Sequence, residues 1–222
     1  MPLRLPLFPL PVVLFPGTPL PLHIFEPRYR QLLADCLAGD RRFGITPPGA
    51  EGERPGPGTV GCVAEVRVNQ ELPDGRSNIV VLGGSRFVVR RELNETTPYQ
   101  VAEVEPFDDE TGSDPPADAV RQLGELFLRY HGLLRQLHDV EPEEVTLPDE
   151  PLALSFHVAA GVECDPGVKQ RLLAERHTGR RVEALLLLVP ILTSGVESAL
   201  RVHHRAHGNG QGTAPPDLVG ET

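Results

Sequence analysis

Lys169 is the only lysine in the chain, so any chemistry that needs a lysine base must use it. A Ser–Lys dyad is one such chemistry. Helical periodicity puts Lys169 on the outer side of its helix, where a solvated surface cation is the plainer reading. It follows Val168, so the Gly-Lys pair of a phosphate-cradling GxxxxGK[ST] loop is absent. GxSxG is absent too. His203 and His207 are four apart, which on a helix sets both on one face and could hold a metal weakly. No third ligand is evident, and with His204 they read more simply as a helix end with cationic side chains near its negative pole. Cys36 falls on the apolar face of a helix and Cys62 on the inward face of a strand, positions of core thiols rather than nucleophiles. Asp108-Asp109-Glu110 and Glu143-Glu144 read as solvated loops. We therefore expect no catalytic residue, no cofactor and no metal.

What remains is surface. Phe8, Phe15, Phe25 and Tyr29 lie in a proline-rich stretch with little polar material to cover them. Buried, they are core. Exposed, they would make a contiguous apolar patch of the kind that binds peptides or partner proteins.

The elements that must position these residues follow from composition and pattern. A chain of 222 residues fits one large domain or two small ones. With 40% hydrophobic and 23% charged residues it has matter for a real core. Its 22 glycines and 24 prolines demand many turns. Acids outnumber bases 31 to 21, a formal charge of −10, which weighs against a general nucleic-acid binder. Three cysteines without a CxxC pair do not make a disulfide framework, and a reducing cytoplasmic setting suits them. The apolar N-terminus carries Pro6, Pro9, Pro11 and Pro16, which prevent the continuous helix of a signal peptide. The apolar run Ala184–Leu192 is far shorter than the ~20 residues that span a bilayer as a helix. A soluble protein is the expectation.

Residues 1–25 read as extended and edge-like. Pro27 opens a helix whose apolar face is Tyr29, Leu32, Leu33, Cys36 and Leu37, with Gly39 as a left-handed stop. Strands are expected at Arg42–Thr46, Val60–Val68, Asn78–Leu82, Arg86–Arg91 and Tyr99–Phe107, with Gly83-Gly84-Ser85 breaking the third from the fourth. Residues 47–58 read as a mobile loop. The acidic stretch Asp108–Ala117 changes the texture, and helical patterns follow. One carries Leu123 to Leu137, one runs Leu152–Ala160, and one is capped by Asp165 before Pro166. The last is capped by Thr178 and kinked or split by Pro190. The expected organisation is a β domain over 1–110, a helical bundle over 111–207 and a disordered tail over 208–222.

The stretch LPLFPLPVVLFPGTPLPLHIFEPRYRQLL, residues 5–33, resembles the start of the Lon protease N-terminal domain, in its stand-alone bacterial form. Matches continue in order at Gly61 with Val63–Val66, at Asp74-Gly75-Arg76, at Gly84–Phe87, and at Val168–Leu173 followed by Arg180-Arg181-Val182. The resemblance covers about residues 3–200. It implies an α+β fold, a PUA-like β pseudo-barrel with an inserted helix followed by a C-terminal helical bundle. It also implies a substrate-recognition module without the ATPase and Ser–Lys peptidase of the full protease. The insert at 47–58 and the tail after Gly208 depart from the family pattern.

On that footing we expect a non-catalytic module, an adaptor that binds unfolded or apolar polypeptide segments or a partner protein. The candidate surface lies near Phe15, Phe25, Tyr29 and Arg86, and in the cleft where barrel meets bundle. There the rings would anchor apolar side chains, and Arg86 would orient a peptide carbonyl or carboxylate. The plainer alternative is that Phe25 and Tyr29 fasten the helix to the barrel and Arg86 makes a structural ion pair. Two further readings are an RNA-binding PUA-like protein, disfavoured by the charge, and a small-molecule enzyme using the inter-domain cleft. No nucleic acid or membrane partner is expected.

Overall fold

The computed structural model describes residues 3–49, 54–112, 114–141 and 144–208, the side chains of 204–208 excepted. The element order is β1 (Leu3–Pro9), β2 (Pro19–Ile24), α1 (Pro27–Ala38), β3 (Arg42–Thr46), β4 (Val60–Glu71), β5 (Ser77–Leu93) and β6 (Gln100–Pro106). Then follow α2 (Ala117–Leu137), α3 (Pro151–Gly161), α4 (Pro166–Ala174) and α5 (Thr178–Gly208). The class is α+β, strands first and helices after. The tail beyond Gly208 and the side chain of His207 lie outside the described residues.

The strands form one sheet in the order β2-β5-β4-β3-β1-β6, and a further β5–β6 pairing curls it into a ring. β1 runs parallel to β3 and antiparallel to β6; every other pairing is antiparallel. The ring closes because β5 is long enough, at 17 residues, to serve two partners. Its first part, Ser77–Leu82, pairs with β2, and its last part, Phe87–Leu93, pairs with β6. Gly83-Gly84 lies between. The expected break there does not occur; one strand runs through. The glycine serves close approach instead. A Cβ on Gly83 would sit 1.9 Å from the Phe15 carbonyl oxygen, so only glycine lets the Phe15 backbone lie against β5.

α1 buries the expected face, Tyr29, Leu32, Leu33 and Cys36. Its end differs from expectation. Gly39 has φ −112°, and the left-handed residue is Arg41 at φ 64°. Arg41 is held there by its exchange with β4: Val66 N–H donates to its carbonyl and its Nε to the Val66 carbonyl. β4 buries Val60, Cys62, Ala64 and Val66 as expected, through one register shift between Cys62 and Ala64; past a second, between Val66 and Val68, Val68 turns out to 53% exposed.

Among the helices, Asp165 caps α4 as expected, its carboxylate accepting from the N–H groups of Gly167 and Val168. The cap of α5 falls on His177 rather than Thr178. His177 Nδ1 accepts from Arg180 N–H at 3.2 Å, while the Thr178 hydroxyl donates to Asp109 at 2.6 Å. Pro190 lies inside α5 without splitting it. Within α5, Thr178–His203 is long and apolar enough, by length and composition alone, to cross a membrane. The nine-residue run Ala184–Leu192 understated this, because the helix extends well beyond it on both sides with few charged residues. One face of α5 packs inward through Val182, Leu185, Val189 and Leu200. The opposite face exposes Leu187 and Ile191.

The cores do not follow the boundary drawn at residue 110. One fills the ring beneath α1. Another fills the bundle and takes in Phe15, Val60 and Val88 from the first half of the chain. Sheet and helices are therefore packed on each other.

Candidate functional site

Between ring and bundle lies a cleft. One wall is the segment from Leu10 to Leu20. That segment is proline-rich and cannot satisfy itself as a regular element, so the sheet holds it in place. Leu10 N–H donates to Thr46 O, Gly17 N–H to Gly83 O, and Gly83 N–H to Thr18 O, all at 2.8–2.9 Å. The Thr18 hydroxyl turns back to Phe15 O at 2.8 Å. The Phe15 ring plugs the bundle core 6.2 Å from Phe156. Pinned at both ends, the segment leaves Val12 outside, 41% exposed.

The facing wall comes from α2, α3 and α4. Two adjoining hollows, about 340 and 530 Å3, share Thr18, Pro19 and Ala160 and so run along the junction. Where they meet, Pro19 and Ala160 are apolar and the Thr18 hydroxyl is taken up by Phe15 O. At one end Phe127 lies between two histidines, its ring 5.9 Å from His131 and 5.6 Å, edge-on, from His157. Burial, and then the neighbouring His131, holds the His157 imidazole below its ordinary value. At the other end lie Cys164 and Lys169. The Lys169 ammonium donates to the Ala160 carbonyl at 2.8 Å. Burial lowers its pKa, opposed by the charges of Cys164 and Glu163. Burial likewise raises the Cys164 thiol, and Lys169 opposes it. α4 is oriented by its Asp165 cap and by Gln170, whose Nε2 donates to Val60 O at 2.8 Å. Tyr130 accepts from Glu163 N–H at 3.0 Å and fixes the α3–α4 turn onto α2.

The four candidate residues separate sharply. Phe25 is 59% exposed, beside His23 with ring centroids 6.0 Å apart. Phe15 is fully buried. Tyr29 is buried against Phe8, centroids 4.0 Å apart, with the Arg28 guanidinium over its face. Arg86 is buried as well. Its Nη1 donates to the carbonyls of Leu173 at 2.6 Å and Glu175 at 2.8 Å, and its Nη2 pairs with Asp109. It does orient peptide carbonyls, but those of its own chain at the end of α4. Burial lowers its pKa, with Asp109 opposing and Arg181 adding to the fall. Arg181, wholly buried, also pairs with Asp109 and donates to Ser155 Oγ and Glu175 O. Phe15, Tyr29 and Arg86 thus hold the fold in this conformation, and Phe25 alone of the four presents its side chain outward.

Sequence reasoning missed three things. Asp109, read as a solvated loop, joins two buried guanidiniums. Lys169, read as an outer-face cation, lines the cleft; on a nine-residue helix periodicity defines no reliable outer face. His131 and His157 were not singled out. The signal for His157 was its place in the otherwise apolar run Leu152–Ala160. Cys36 and Cys62 are core thiols as read, each pushed up to about 12 by burial. Among the described residues no group of three or more His, Cys, Asp or Glu is placed to hold a metal.

The model of the ATP-dependent protease La (LON) substrate-binding domain matches residues 4–190. The chain belongs to the Lon substrate-binding domain family. Curated relatives include the Lon protease of Xanthomonas oryzae, 32% identical over 194 residues, 84% of this chain and 23% of that protein. Lon protease 1 of Herpetosiphon aurantiacus is 28% identical over 182 residues, 72% of this chain and 22% of that protein. The chain thus spans about a quarter of the length of these Lon proteases. Among solved structures, a Lon N-terminal domain protein from Xanthomonas campestris superposes with a TM-score of 0.61 at 26% identity, covering 84% of this chain and 98% of that one. The N-terminal domain of a Mycobacterium avium complex Lon protease gives a TM-score of 0.62 at 15% identity, a likeness of fold, covering 86% and 98%. The Lon-type resemblance read from residues 5–33 is confirmed over most of the chain, as is the α+β, PUA-like fold it implied.

Proposed function

We propose that this Lon-type domain is a non-catalytic recognition module that holds an extended, apolar stretch of unfolded polypeptide in the cleft between residues 10–20 and the helices. The observation that carries this is the cleft itself, lined along the 10–20 wall mainly by apolar side chains, with His131 and His157 toward one end, Lys169 toward the other, and the Thr18 hydroxyl at the junction turned onto Phe15 O. Such a lining suits side chains that a folded client would hide. The other obvious mode, addition of a strand to the sheet edge, is blunted at β2, where Pro19 and Pro21 bring no N–H to the ladder. Phe25 supplies a second apolar anchor. With the chemistry located elsewhere, the module would act as an adaptor that hands clients to other machinery. Three free thiols suit a reducing cytoplasm.

Fluorescence anisotropy of the purified protein against an unfolded model polypeptide and its folded form, with a labelled RNA as control, tests this. We expect preference for the unfolded chain. Val12→Asp, which sets a charge in the cleft wall, should weaken it about tenfold, or ~1.4 kcal/mol. Phe25→Ala should weaken it less, with stability unchanged within ~0.5 kcal/mol. Equal binding of folded and unfolded polypeptide, or binding of RNA alone, would refute the reading.

A further inference from the structure

The cleft has one charge where its walls are least solvated. Lys169 is half-buried between the 10–20 segment and α3, in a hollow whose lining is mainly apolar, Pro11, Val12, Leu14 and Leu20 among it, with Thr18 and Cys164 its other polar members. It forms no ion pair with a described carboxylate, and of its three N–H donors one is taken by Ala160 O. Glu163 is near enough for its charge to act on Lys169 but is exposed and makes no ion pair with it, and Asp165, also exposed, is occupied in capping α4. Surface cations elsewhere in this molecule behave otherwise: Arg4, Arg42, Arg67, Arg90 and Arg91 each pair with a glutamate. In a chain of net charge −10, this cation lines a mainly apolar hollow and only one of its donors meets a described group. A desolvated ammonium with spare donors gains most from an anionic partner.

We propose that Lys169 is an anion subsite at one end of the cleft, and that the preferred polypeptide segment places a carboxylate on its ammonium while its apolar side chains lie along the 10–20 wall. This rests on the reading of the cleft as a peptide site. The carboxylate can be a chain terminus or an Asp or Glu side chain. The competing role for Lys169 is structural, closing the end of α3 through Ala160 O.

Four fluorescent decapeptides of one apolar sequence separate these. One has a free C-terminal carboxylate, one is amidated, and two amidated versions carry a terminal-proximal Glu or Gln. We expect the free acid or the Glu peptide to bind about tenfold tighter than its neutral counterpart, since hydrogen bonds to charged groups are the strong ones. Which of the two gains identifies the source of the carboxylate. Lys169→Met should abolish the difference, and Lys169→Arg should keep part of it. If all four bind equally, the subsite is refuted while the cleft reading stands; if none binds, both fall. A structural role alone would move the affinities of all four together. Should Lys169→Met not fold, the wild-type protein suffices. After reductive methylation the single lysine gives one side-chain dimethylamine resonance, apart from that of the N-terminus. Its pKa should rise on adding the carboxylate peptide and stay put with the amide; no rise refutes the subsite.

Discussion

Burial decides what His157 does as the pH falls. Its folded pKa lies below the ordinary imidazole value near 6.5, so between the two the unfolded chain takes up the proton and the folded chain resists it. Its contribution to stability is complete above about pH 6.5 and is lost as the pH falls through the folded value. His131 faces it across Phe127, and Glu144 lines the same hollow. The urea midpoint should therefore drop between pH 7.5 and 5, and His157→Gln should remove part of that drop; an equal drop in the variant would count against this. The same scale shows where sequence reading stops. Phe15 and Phe25 are identical residues ten apart in a segment whose prolines erase any regular period. Nothing local distinguishes the ring that plugs a core from the ring left in solvent. That difference is made by the Gly83 contact and by Phe156, both far along the chain.

At the scale of elements, patterning did well where a period could run. α1 and α2 were legible from spacings of three and four, and β4 from alternation up to its second register shift. It did less well where a residue answers to a distant neighbour. The glycines of β5 look like a break because glycine is permissive, yet Gly83 is there to be thin. Gly83→Ala must push the Phe15 backbone off the strand. The loss should be roughly 1–3 kcal/mol in chemical denaturation, comparable to overpacking a core, and polypeptide binding should fall with it, since the same contact sets the cleft wall. An unchanged midpoint would mean that the 10–20 segment is not anchored there. Helix caps behave likewise: Asp165 was legible because its partners are two and three residues on, whereas Thr178 was drawn away by Asp109, 69 residues earlier.

For the whole molecule, the change of texture near residue 110 was visible, but it marks a change of element type rather than a seam. Asp109 sits at that point and takes Arg86 from β5 and Arg181 from α5 at once. Removing it strands two buried guanidiniums. Asp109→Ala should lose about 3–5 kcal/mol, and wild type should unfold in one transition, by far-UV dichroism and tyrosine fluorescence alike; two separated transitions would show ring and bundle to be independent. The topology also has a consequence in time. β1 is made well before its antiparallel partner β6, which ends at Pro106. On a ribosome adding roughly 5–20 residues per second, β1 waits on the order of 5–20 s for that partner. Meanwhile Leu5, Leu7 and Phe8, later buried, are open to whatever chaperone stands at the tunnel exit. A domain that we propose captures unfolded chains is thus, while it is being born, a client of the same kind.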